Sequence, residues 1–136
     1  MKFEHDYSAL FAEANEKADK LKDSTDNAIK ERYVEAKMCL DELKMLHNYR
    51  PEAPIWEVAQ CFYEEAIDFL ISQQNKKLKA AEQFCVLQHF SKEESDEHMN
   101  GVKQQLLAET TTFRNNQNYL FELLGLYLDG DTVKQL

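Results

Sequence analysis

The sequence predicts an all-α fold, an antiparallel helical bundle of three to four long helices, on three observations. Apolar residues recur every three or four positions along nearly the whole chain, and alternation of apolar and polar residues is nowhere sustained. Turn formers are scarce, with Gly101, Gly125, Gly130, Pro51 and Pro54 the only glycines and prolines. At 136 residues, 43% of them hydrophobic, the chain is expected to form a single helical domain over 1–136 with its own core. A short α-solenoid of helical hairpins is the minor alternative. Glu64-Glu65-Ala66-Ile67 hints at such a repeat, but the small and bulky residues the repeat needs at fixed offsets are missing.

The elements follow in order. Phe3, Tyr7, Leu10, Ala14, Ala18 and Leu21 mark a helix near 3–22, and Ile29, Tyr33, Ala36, Leu40 and Leu43 mark a second near 25–48. Asp23-Ser24-Thr25-Asp26 between them supplies side chains that compete for backbone hydrogen bonds and favour a cap or a kink. Arg50-Pro51-Glu52-Ala53-Pro54 is the clearest boundary, because each proline lacks an amide donor and disfavours helix at the residue before it. A third helix is expected near 55–89 and a fourth near 96–128. Ser91 or Ser95 can cap the fourth, an acidic first turn suits its dipole, and Asp129-Gly130-Asp131 stops it.

The third helix carries more apolar surface than one core demands. Around Pro54–Ser72, Ile55, Trp56, Val58, Ala59, Phe62, Tyr63, Ala66, Ile67, Phe69 and Leu70 fill an arc of about 180°, against the roughly 100° a surface helix buries. Neighbours on both flanks explain this, and so does a partner on one flank, for which Trp56, Tyr63 and Ile67 are the candidates. The end of the fourth helix, Tyr119 to Leu128, is apolar almost all round, with Glu122 its only charge. In an antiparallel hairpin it lies beside Trp56, and Met38, Met45 and Tyr49 approach the same pole. The pole is either core or a surface for a homodimer or another protein, with Tyr119, Phe121 and Leu124 joining Trp56, Tyr63 and Ile67.

Both long helices also interrupt their apolar faces. Gln73, Gln74 and Lys77 break one, while Thr110 and Gln117, flanked by Glu109, break the seam of Met99, Leu106, Phe113, Leu120 and Tyr127. A hairpin turning near residue 92 brings these steps together as a polar waist. Buried amides must pair or lose about 1 to 3 kcal/mol each, so a waist of this kind fixes register. An exposed waist or a small pocket are the other readings.

The chemistry of known enzymes is not written in the chain. There is no Gly-rich phosphate loop, G-x-S-x-G or H-E-x-x-H, and no His lies three residues after a Glu as carboxylate-bridged metal bundles require. His89, Glu94 and His98 are weak metal candidates around an acidic turn, so no metal and no cofactor is expected. Cys39, Cys61 and Cys85, without any C-x-x-C pair, are expected to be buried, reduced thiols of a cytoplasmic protein. The net charge of -9 lies mainly in 41–68 and 91–98 and argues against direct binding of nucleic acid or an anionic membrane. The expectation is therefore a non-enzymatic, acidic protein-interaction module, in the class of small adaptors, inhibitors, immunity proteins or regulators, with a homodimer or a protein partner. Two alternatives are an acidic nucleic-acid mimic that blocks a DNA-binding protein, and a bundle holding a ligand or metal.

Overall fold

A computed structural model describes residues 3–136. Four helices follow one another, α1 (Ser8–Asp19), α2 (Asn27–Tyr49), α3 (Ile55–Leu87) and α4 (Lys92–Leu123), then two short strands, β1 (Leu126–Asp129) and β2 (Thr132–Gln135). The all-α class stands, with three long helices and one two-stranded sheet. By contact the chain divides into two compact units, the first Met1–Glu64 with Arg114–Leu136 and the second Glu65–Phe113. Both α3 and α4 contribute to each.

In the first unit, α1 begins later than its periodicity suggests. Phe3–Tyr7 is not helical because its polar groups serve the proline loop: the His5 amide donates to the Pro51 carbonyl at 2.8 Å, and the Tyr7 hydroxyl accepts from the Ile55 amide at 3.0 Å. Asp26 caps α2, accepting from the amides of Ala28 and Ile29 at 2.9 and 3.3 Å, which satisfies two of the four donors a helix start leaves open. Asp19 receives Lys37 at 3.1 Å and the Tyr33 hydroxyl at 3.2 Å, tying the end of α1 to α2. The core gathers Phe11, Ala14 and Ala18 of α1, Ala36, Leu40 and Leu43 of α2, Val58, Ala59, Phe62 and Tyr63 of α3, and Leu120, Phe121 and Leu123 of α4.

The fourth helix does not reach residue 128, and a strand pair stands where the sequence predicts none. Gly125, at φ 74°, turns the chain out of the helix as its amide donates back to Glu122 at 3.1 Å. The next ten residues form a hairpin with Leu126 opposite Gln135 and Asp129 opposite Thr132. Its two-residue loop is Gly130-Asp131, with a positive φ of 60° at the glycine, as a type II′ turn requires. Each free edge is engaged by an amide side chain. Gln60 accepts from the Val133 amide at 2.7 Å and donates to the Asp131 carbonyl at 3.0 Å, and Asn118 accepts from the Leu128 amide at 2.8 Å. An open edge would otherwise invite another strand. Leu126 and Val133 are buried.

The second unit is the hairpin of α3 from 65 and α4 to 113. Among its apolar side chains, Ile67, Ala81, Cys85 and Leu106 are buried. Its turn is built by two motifs. His89 takes a left-handed φ of 54° while the Phe90 amide reaches back to Cys85 at 3.1 Å, a Schellman ending. Ser91 and Glu94 then form a reciprocal capping box, amide to carboxylate at 3.0 Å and amide to hydroxyl at 3.2 Å. Of the two serines proposed as caps, Ser91 fills the role. The Ser91 backbone amide, helped by its hydroxyl, holds the Glu94 carboxyl below the usual range.

Candidate interaction face

The structure places five of the six residues of the predicted apolar pole in the first unit and Ile67 in the second. Tyr63 and Phe121 are fully buried with rings 6.3 Å apart, Leu124 is buried with them, and Ile67 is buried too. Tyr119 is half-buried beneath the Arg32 guanidinium, 5.4 Å from the ring centre. Trp56 alone of the six stays well exposed, at 42%. Of the two readings of this pole, core is the one its burial favours, and the partner reading loses its premise. It assumes a helix running on to 128, whereas the chain doubles back and sets its own Leu126 and Val133 into the core.

The polar waist is brought together in part, within the second unit. Gln74 donates to the Leu106 carbonyl at 3.0 Å and to the Thr110 hydroxyl at 2.8 Å, and Lys77 pairs with Glu109 at 3.2 Å. Gln73 takes no part in these bonds. Gln117 lies in the first unit, almost fully buried, and among the described residues its Oε1 accepts no hydrogen bond there. The bonds tie the hairpin's helices directly, which is the arrangement of a register device.

The histidine turn assembles no site. Glu94 is occupied as a cap, and His98 packs against Phe84 and Phe90 with ring centres at 5.1 and 6.1 Å. Among the described residues no three His, Cys, Asp or Glu side chains converge to hold a metal ion. The thiols differ from expectation as well. Cys85 is buried, Cys39 is half-buried, and Cys61 is exposed beside Arg50, whose guanidinium donates to its sulfur at 3.6 Å.

Met38, Met45 and Tyr49, expected beside the buried pole, stand instead with Val34 on an exposed surface along α2. Val34, Met38, Met45 and Tyr49 are 53, 66, 55 and 80% exposed. At about 100° per residue they share an arc of about 60°, diametrically opposite Ala36, Leu40, Leu43 and His47 on the buried face. An ordinary surface helix is polar there. An open groove of about 440 Å³ follows this face from Lys30 to Glu42, with Val34, Met38 and Cys39 in its lining. Burial, then the carboxylates of Glu35 and Glu42, push the Cys39 thiol up to about 12, so at neutral pH it is an apolar contact and not a nucleophile.

The flanks of the stripe differ in sign. Lys30, Lys37 and Lys44 line one margin at seven-residue intervals, and Glu35 and Glu42 line the other. The Glu35 carboxylate is steadied by the Asn116 amide at 3.1 Å, and Arg32 beside it donates to the same Asn116 at 3.2 Å. The second unit also exposes Phe69, Ile71, Phe84, Val86, Leu87 and Leu107, but Gln73, Lys76 and Gln83 separate Phe69 from Phe84 and Leu87 along the face they share. The stripe on α2 has the closer apolar spacing of the two.

Among the described residues no helix is long and apolar enough to cross a membrane. Compared with protein-family models, curated protein sequences and solved structures, the chain matches none.

Proposed function

We propose that this chain is a non-enzymatic protein-interaction module of the cytoplasm, an adaptor, inhibitor or regulator that binds a protein partner through the outer face of α2. The observation that carries the reading is the stripe of Val34, Met38, Met45 and Tyr49, directly opposite the helix's own core face. Holding large apolar side chains in water forgoes about 1.5 to 3 kcal/mol for each that a partner would fully bury. Methionines suit such a face, since their flexible, polarisable side chains adapt to a docking helix.

The reading is tested by a photo-crosslinking amino acid placed at Met38 and, as a control, at Glu16, which is exposed on α1. Crosslinks to protein are expected from position 38 and not from 16. Val34→Glu should abolish them while leaving the melting temperature unchanged, because the residue faces away from the core. Equal crosslinking from both positions, or persistence in the Val34→Glu chain, would refute an α2 docking face.

A further inference from the structure

Resting on that reading, we infer that the occupant of the α2 face is a second copy of this chain, with the two α2 helices parallel about a two-fold axis. The argument is charge register. Written as heptads, Glu31, Met38 and Met45 take position a, Val34, Asp41 and Asn48 position d, Glu35 and Glu42 position e, and Lys30, Lys37 and Lys44 position g. In a parallel pair each g side chain faces the e side chain five residues further along the other helix. Lys30 then meets Glu35 of the second copy, and Lys37 meets its Glu42, each contact made twice by symmetry. An antiparallel pair sets g against g and e against e, lysine on lysine and glutamate on glutamate.

The members of these pairs are partly ordered beforehand. Glu35 is held by Asn116 and Lys37 by Asp19 at 3.1 Å, while Lys30 and Glu42 are exposed. Each contact thus joins one positioned side chain to one exposed one, so only one of the two must be ordered on pairing. Between the margins, Val34, Met38 and Met45 meet their own copies. Glu31 and Asp41 also meet theirs, and these like charges make the dimer weak and reversible.

Sedimentation equilibrium of the full chain, 16.0 kDa as a monomer, from micromolar to millimolar concentration tests this, with circular dichroism confirming that each variant is folded. A reversible dimer is expected. Lys30→Glu should weaken it by about tenfold, as turning two exposed pairs from attraction to repulsion allows, and adding Glu35→Lys should restore it. Glu42→Lys, which breaks no intrachain bond, should weaken it independently. A monomer throughout would overturn the second copy as occupant, and crosslinking from Met38 to another protein would then leave the docking face itself standing. Tighter association of Lys30→Glu would mean antiparallel helices, and failure of the double replacement to recover would mean that Lys30 and Glu35 do not meet; either result overturns the proposal.

Discussion

Asp131 sits in the tip of the terminal hairpin, where a turn residue is usually only solvated, yet it is the hub of the hairpin's polar contacts. The Tyr63 hydroxyl donates to its Oδ1 at 2.6 Å and Arg114 to the same oxygen at 3.1 Å. The tyrosine bond first, and then the arginine charge, hold its carboxyl below the ordinary 3.8, against a partial burial that works the other way. A depressed folded value means the unfolded chain takes up the proton more readily. The stabilisation is therefore present above the unfolded pKa and lost as pH falls through the folded one. Asp131→Asn should lower the urea midpoint at pH 6, and the gap to the natural chain should narrow as the pH falls below 3.8. A gap that stays constant with pH would show that the charge of Asp131 does not secure the hairpin. None of this was legible in the sequence, where Asp129-Gly130-Asp131 shows a stop and Tyr63, 68 residues away, shows only an apolar face.

At the scale of elements, what the sequence reveals depends on how local the signal is. Pro51, Pro54, Asp26 and Ser91 act on their own neighbours, and the boundaries they mark lie within a few residues of the observed ones. The stretch after Leu123 misleads because Leu126, Tyr127 and Leu128 continue an apolar run, and Gly125, the residue that ends the helix, is a single glycine within it. The outer face of α2 was joined to the apolar pole for a different reason. Leu40 and Leu43 already supply a helical period, and once one face is assigned to the core a second stripe reads as more of the same core. The helical rotation sets Met38 and Met45 on the opposite side, and their exposure shows that this side is not core. The turn between α3 and α4 allows a test of element-level strain. His89 holds a left-handed conformation that costs a residue with a Cβ roughly 1 to 2 kcal/mol. His89→Gly should therefore raise stability by roughly 0.5 to 1 kcal/mol, less than the full cost because glycine loses more freedom on folding. A lower melting temperature would instead assign the imidazole a contact that outweighs the backbone strain.

Over the whole molecule, packing is distributed unevenly between the two units, and that distribution bears on function. The first unit buries aromatic and leucine side chains from all four helices and from the hairpin, and α2 lies wholly within it. A stripe carried on such a helix is preformed, and docking to it calls for little ordering of the backbone. The second unit buries Ile67, Ala81, Cys85 and Leu106 and relies on Gln74, Thr110, Lys77 and Glu109 to keep its helices in step. Exposed or half-exposed polar bonds of this kind each contribute about 1 kcal/mol or less, so the hairpin opens at smaller cost than the well-packed unit. Hydrogen exchange should show this along single continuous helices. Amides of α3 between Val58 and Tyr63 should exchange at the rate of global unfolding, whereas those between 75 and 87 exchange faster, with α4 showing the mirror gradient from Leu120 back towards Lys92. Uniform protection along α3 would mean that both units unfold as one cooperative body, and that a few buried side chains and three polar contacts secure the hairpin as firmly as the full core secures α2.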